Sequence, residues 1–177
     1  MIRNLIAAFA APSIAALAIG VSGSFAAGAG AAYGGAVRQL SDAEAMSNAR
    51  AIFDRADLDG SESLSADEFS ALALVTAELA RLNGFVPVEI GGATETVALP
   101  AAAPSEMSRA ERVRIEAVAR AEFYAIAGED GVIGRDEFAR DRAARFARAD
   151  RNRNGALSER ELVSYAVEEA RLASPDA

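Results

Sequence analysis

The chain contains no histidine, no cysteine and no tryptophan among its 177 residues, and each absence removes a class of chemistry. Without thiolates or imidazoles it lacks the ligands on which zinc, copper and iron centres depend. Without cysteine there is no disulfide and no lipid-anchored N-terminal thiol, so stability must come from packing or from a bound ion. Without histidine the commonest general base is missing. A Gly-x-Ser-x-Gly elbow and a phosphate-cradling glycine loop are missing too, and the sequence reads as that of a protein without catalytic machinery. Paired acids can hydrolyse glycosides, but the carboxylates that cluster here fall on turns rather than in an evident cleft. Lysine is also absent: all 18 basic residues are arginine, a bias that accompanies abundant alanine. The 26 acids leave a net charge of −8, which suits a cation-binding protein and argues against nucleic acid as a partner.

What the chain does have is oxygen at regular intervals. From Asp150 to Glu161, side-chain donors recur at alternate positions, with Asp150, Asn152 and Asn154 in the first, third and fifth places. A hard dication such as calcium wants about six to eight oxygens at short range, and a tight loop supplies them from alternate residues. The Ala156 carbonyl would serve at the seventh place, Ser158 through a water at the ninth, and Glu161 with both carboxylate oxygens at the twelfth. Gly155 stands sixth, where the chain must turn with a positive φ that glycine adopts cheaply. Leu157 points inward, and Phe146, four residues before the loop, opens the core side of an entering helix. Ser158-x-x-Glu161 also reads as a helix capping box and Asn-Gly as a turn. That reading explains a helix start but leaves Asp150 and Asn152 without a reason. Only two donors are anionic and Arg151, Arg153 and Arg160 crowd the loop, so the expected affinity is weak.

A second stretch, Asp57 to Glu68, repeats the pattern with Asp57, Asp59, Ser61, Ser63, Ser65 and Glu68 at the ligand places. Phe53 precedes it as Phe146 precedes the other, and Leu64 matches Leu157. The sixth place, however, holds Glu62, which costs about 1 kcal/mol or more at positive φ. Gly60 comes two residues early, so a rearranged turn is expected; the competing reading is an acidic turn between two capped helices. A third stretch, Gly128 to Phe138, keeps only a second half. Aligned backwards from Glu137, Asp130, Gly131 and Ile133 fit the fifth, sixth and eighth places, while the first and third fall on Ile126 and Gly128, which have no side-chain oxygen.

On these residues the chain resembles the EF-hand family, and in particular its compact, exported bacterial members. The resemblance implies a mainly α fold of helix-loop-helix repeats; a small β-hairpin insert, which the resemblance does not cover, is read from the residues themselves. Hands would lie near residues 49–75, 116–141 (degenerate) and 141–170, within a domain spanning 41–174, with the insert at 84–105. It implies calcium as the ligand, held by Asp150, Asn152, Asn154, Ala156, Ser158 and Glu161 and by Asp57, Asp59, Ser61, Ser63, Ser65 and Glu68. It also implies that the degenerate hand pairs with the last one, Ile133 against Leu157, across a helix shared from Phe138 to Ala149. Beyond Met1 only Met46 and Met107 are available for the methionine-rich groove of a sensor. The expected role is therefore structural or buffering. A protein-interaction module that keeps the frame without needing metal is the alternative.

The ends and the insert complete the reading. Residues 1–26 have the form of a secretory signal: Arg3, an apolar run from Leu5 to Val21, and a small-x-small site at Ser24 to Ala26. The run is shorter than the roughly twenty residues a membrane span needs and is interrupted by Pro12 and Gly20, so a cleaved signal is favoured over an anchor. The expected location is periplasmic or secreted, with another exported protein as a conceivable partner. Residues 27–40 read as a flexible leader. Helices are expected from Ser41, from Glu68 to Leu82 with Leu72, Val75 and Leu79 inward, and from Ser108 to Tyr124 with Val113, Ala117 and Ala121 or Val118 inward. Between the last two, Asn83-Gly84 ends a helix, and Phe85 to Leu99 suggests a hairpin turning at Gly91-Gly92, with Pro87 on an edge strand. This insert could replace a missing partner for the first hand or meet another protein; the former is preferred. Pro100 to Pro104 is a linker. The run Arg135, Arg140, Arg142, Arg145, Arg148, Arg151 and Arg153 is either a patch for an anionic partner or a solvated face with local pairs such as Asp141 with Arg145. The acidic surroundings favour the second.

Overall fold

The computed structural model describes residues 35–99 and 105–172. The signal-like segment, residues 27–34 of the leader and the Pro100 to Pro104 linker lie outside the described residues. The described chain is mainly α, as expected: β1 (Gln39–Ser41), α1 (Asp42–Ala56), β2 (Ser63–Leu64), α2 (Ala66–Asn83), β3 (Phe85–Ile90), β4 (Ala93–Ala98), α3 (Arg109–Ile126), β5 (Ile133–Gly134), α4 (Arg135–Ala149), β6 (Ala156–Ser158) and α5 (Glu159–Glu169).

Three of the helices start at a serine for the same reason. Ser41, Ser65 and Ser108 each accept the N–H of a glutamate three residues on, and that glutamate bonds back to the serine N–H. The hydrogen bonds from Ser41, hydroxyl and then backbone, hold the Glu44 carboxyl below its ordinary value. Those from Ser108, backbone and then hydroxyl, do the same for Glu111. Helix α2 stops at Gly84, which takes φ 72 and returns its N–H to Ala80.

The hairpin forms where it was expected, with β3 and β4 antiparallel and Pro87 opposite Thr96. Thr96 does not need Pro87 as a donor, because its own N–H and C=O reach outward to Gly35 O at 3.2 Å and Val37 N at 2.8 Å. The leader is therefore structured from Gly35 onward, which corrects the expectation of a flexible segment to residue 40. The Gln39–Ser41 strand continues it.

Two helix faces also differ from expectation. The buried side of α2 is Phe69, Ser70, Ala73, Ala77 and Ala80, while Val75 and Leu79 are 55% and 40% exposed. In α3 the buried side is Ile115, Ala119 and Phe123, and Val113, Ala117, Val118 and Ala121 face out. Leu72, half-buried against the core, is the part of that expectation that holds. The physical reason is the antiparallel packing of α2 on α3, marked by Arg81–Glu111, Glu78–Arg112 and Asp67–Arg120 ion pairs. Alanine at the seam lets the backbones come close, and aromatic rings near the helix ends fill the interior.

Those rings form the first of two cores. Phe53, Phe69, Phe123 and Phe138 meet edge to face or tilted, at centroid distances of 5.7 Å for Phe53–Phe138 and 6.1 Å for Phe69–Phe123, around Leu64, Ile115 and Ile133. The second core gathers Leu40, Val86, Val88, Val97, Phe146, Leu157, Leu162 and Tyr165.

The strand pairing corrects a further expectation. Ile133 pairs with Leu64, in β5 against β2, and Leu157 pairs with Leu40, in β6 against β1. Ile133 and Leu157 do not meet. Only α4 separates them, and its 15 residues form a rod about 22 Å long that carries its two ends apart rather than folding back.

Candidate metal centres

Helix α1 delivers Asp57 as its C-cap, with the Asp57 N–H on Phe53 O at 3.0 Å. The chain then winds around the aspartate. Asp57 Oδ1 accepts the Ser61 N–H at 2.9 Å, Oδ2 the Glu62 N–H at 3.0 Å, and Asp59 Oδ1 shares the Ser61 N–H at 3.0 Å. Glu68, in the first turn of α2, reaches back with Oε1 to the Leu58 N–H at 2.9 Å. Its Oε2 accepts the Ser65 N–H and hydroxyl at 2.9 and 2.8 Å. One oxygen each of Asp57, Asp59 and Glu68 lies within 4.8 Å of the others. The Ser61 hydroxyl oxygen lies 3.0 Å from the Ser63 carbonyl, which brings the fifth and seventh donors side by side. Ser65, at the ninth place, is committed to capping α2. Bonds from the Ser61 hydroxyl and N–H hold the Asp59 carboxyl below its ordinary value. At Glu68 burial pushes the carboxyl up, but the bonds from Ser65 and Leu58 outweigh it and the net shift is down.

The loop from Asp150 to Glu161 repeats this wiring. Asp150, buried at the C-cap of α4, accepts the Asn154 N–H at 3.1 Å and the Gly155 N–H at 2.9 Å. Asn152 Oδ1 shares the Asn154 N–H at 3.0 Å, and Asn154 Oδ1 accepts the Ala156 N–H at 2.9 Å. Glu161 Oε1 accepts the Arg151 N–H at 3.1 Å and the Asn152 side-chain amide at 3.0 Å. Ala156 and Ser158 lie in β6, opposite Ser41 and Gln39. Ser158 makes no side-chain cap, so the capping-box reading fails at this loop. Instead the Glu161 carboxylate faces the loop, and its Oε2 is buried without a hydrogen-bond partner. An unpaired carboxylate oxygen under the twelfth place, among hard oxygen donors, fits a small cation.

The turn at Gly60 is not a rearrangement. Both loops take positive φ at the fourth and sixth places: Gly60 at 70 and Glu62 at 62 in one, Arg153 at 59 and Gly155 at 78 in the other. At these two places each loop uses one glycine and one other residue, in opposite order, and the last loop has a further positive φ at Glu159, 46, in its tenth place. The middle stretch differs. Its positive φ residues, Gly128 and Gly131, are three apart rather than two, and its bonds are local: Val132 N–H to Asp130 Oδ1 at 3.2 Å, Gly134 N–H to Glu137 Oε2 at 2.9 Å. Ile126 ends α3 and offers no oxygen at the first place.

Sequence reasoning missed a buried ion network beside the last loop. Arg142, Arg145 and Arg171 are buried, 2%, 4% and 7% exposed, so the expected solvated arginine face holds only for its outer members. The Asp141–Arg145 pair does form, Nε to Oδ2 at 2.8 Å. In addition Arg145 and Arg171 converge on Glu122 of α3 at 3.1 and 2.7 Å, Arg142 pairs with Glu169 of α5, and Arg148 with Glu168. Burial, and after it the Arg145 charge, pushes the Arg142 guanidinium down to about 10, so it remains charged at neutral pH and needs its carboxylate. Only the i, i+4 member of the network could be read from the sequence, because Glu122, Glu169 and Arg171 reach it from distant positions.

No curated protein and no solved structure matches the chain. The family model described as EF hand does match, over residues 142–164, which covers the second half of α4, the Asp150 to Glu161 loop and the start of α5.

Proposed function

We propose that this protein binds calcium at two helix-loop-helix sites and that the ion serves the fold rather than a switch. The observation that carries the reading is the Glu161 carboxylate, turned away from its own helix and into the loop with one oxygen buried and unpaired. The ligands would be Asp150, Asn152, Asn154, Ala156, Ser158 and Glu161, and in the first loop Asp57, Asp59, Ser61, Ser63, Ser65 and Glu68. Calcium supplies a double positive charge against which these oxygens can be packed. The chain holds them ready: Asp57 and Asp150 are fixed by backbone N–H groups, and the glutamates bridge each loop to its exit helix. The middle stretch lacks the first donors and serves as a structural partner.

With two carboxylates in one loop and three in the other, dissociation constants of about 10⁻⁴ to 10⁻³ M are expected, the range of extracellular modules. Free calcium at about ten times such a constant would stabilise the fold by roughly 1.4 kcal/mol. A periplasmic or secreted location, reached through a signal at residues 1–26, supplies calcium at that level and accounts for the leader. No step of catalysis is assigned.

The test is calorimetric titration of the metal-stripped protein with calcium, alongside Glu68→Gln and Glu161→Gln. Two sites, each lost with its own glutamate, are expected. No binding heat with calcium at about 1 mM would overturn the reading and leave a metal-independent interaction module on the same frame.

A further inference from the structure

The segment before α1 and the segment before α4 are the same device. The spacing from Leu40 to Leu64 equals that from Ile133 to Leu157, and the spacing from Glu44 to Glu68 equals that from Glu137 to Glu161. In the same register Phe53 matches Phe146, Asp57 matches Asp150 and Ser65 matches Ser158. Helices α1 and α4 have 15 residues each, and in both the third residue is a glutamate that accepts the N-cap N–H. Each half is thus a short strand, a helix, a complete loop and an exit helix.

The strands are crossed between the halves. β1, which starts the first half, pairs with β6 of the last loop, and the Asp42 N–H at the start of α1 donates to Gly155 O at 3.2 Å. The far end of α1 is Asp57, the first donor of the first loop. Conversely β5, which starts the second half, pairs with β2 of the first loop, and Arg135 at the start of α4 pairs with Asp54 and lies over the Phe53 ring. The far end of α4 is Asp150. Two packed helices therefore each begin on the partner strand of one loop and end at the first place of the other, so each loop draws on both helices.

We propose that the two loops are thermodynamically coupled through α1 and α4, so that calcium in either raises the affinity of the other by about fivefold or more. The inference rests on the calcium reading above. An ion that fixes Gly155 and β6 docks β1 and the start of α1, and the ordering of α1 is then already done when Asp57 meets its own ion. The route in the other direction runs through β2, β5 and α4.

The experiment uses the full chain and calcium alone. Glu161→Gln isolates the first loop, Glu68→Gln the last, and each gives a single-site constant; Asp150→Asn and Asp57→Asn stand in where a glutamine variant does not fold. In the wild-type protein the product of the two binding constants is expected to exceed the product of the single-site constants by about fivefold or more. In Glu68→Gln, calcium is expected to slow amide exchange at 63–64 and 133–134, on the strands of the loop that cannot bind. Equal products with unchanged exchange there would overturn the coupling while leaving calcium binding intact. Absence of calcium binding in the wild type would overturn the calcium reading itself, and the coupling with it.

Discussion

Replacing Glu169 by leucine tests whether the buried arginine network is structural in the way its geometry implies. Glu169 lies in the last turn of α5, buried, with Oε2 on the Arg142 guanidinium and Oε1 at 4.0 Å from Arg145 Nε. Arg145 keeps Asp141 and Glu122 without it. Arg142 keeps no carboxylate among the ion pairs of the described residues and is 2% exposed. Breaking one side of a buried pair costs about 3–5 kcal/mol, because the remaining charge is left in a poorly polarisable interior. Against a typical total stability of about 5–15 kcal/mol that is roughly a fifth of the whole or more. With a denaturant slope of about 2 kcal/mol per molar, the urea midpoint of Glu169→Leu should fall by roughly 2 M. The double variant Arg142→Met with Glu169→Leu should recover most of the loss, since apolar replacement of a whole buried pair is often neutral or stabilising. A single variant costing less than about 1 kcal/mol would mean that Arg142 is hydrated, and a double variant as weak as the sum of the singles would mean that the pair is not the reason for the loss. Because the network ties α5 to α3 and α4, the same titrations report how firmly the exit helix of the last loop is held.

Acid should weaken the protein through its caps. The hydrogen bonds from Ser41 and Ser108 lower the Glu44 and Glu111 carboxyls from 4.5 in the folded state, so below about pH 4.5 the unfolded chain binds more protons and stability falls as pH falls. Melting temperatures followed downward from about pH 6 should show that slope, and Ser41→Ala with Ser108→Ala should flatten it; an unchanged slope would remove the caps as its source. In the first loop, Glu62→Gly should relieve about 1–2 kcal/mol of backbone strain at φ 62 and return about 0.5–1 kcal/mol as added freedom of the unfolded chain, for a small net gain. Gly60→Ala, at φ 70 with open space around it, should lose about 1 kcal/mol or more, and equilibrium unfolding that ranked the two the other way round would refute the assignment of strain.

The parts of this fold that could be read from sequence are those set by neighbours within a few residues. The serine caps of α1 and α3, the Gly84 stop and the hairpin turning at Gly91-Gly92 all rest on local hydrogen bonds, and all formed where expected. The errors lie where partners are distant. Val75 and Leu79 are large and apolar and so read as a buried face, yet close approach of α2 and α3 favoured Ala73 and Ala77 at the seam. Ile133 was assigned to Leu157 by the habit of neighbouring hands, and the length of α4 sent it to Leu64 instead. Leu40 carried no local signal at all. Its place in the second core depends on Leu157, far along the chain.

The two loops reach one geometry from opposite choices, and the difference bears on how each would meet an ion. The first has three carboxylates with oxygens within 4.8 Å of one another, so its attraction for a dication is greater; at about 4 Å from a double charge even water-like screening leaves a third carboxylate worth on the order of 2 kcal/mol. Its Glu68, however, already has partners for both oxygens, including the cap of α2. The last loop has two carboxylates and arginines at Arg151 and Arg153, but its Glu161 has an oxygen with nothing to give up. A capped helix is worth about 1 kcal/mol, comparable to the charge advantage, so the loop with more charge need not be the better site. The stretch that matches the EF hand model is the one with fewer acids, and it has Gly155 at its sixth place, where the first loop has Glu62.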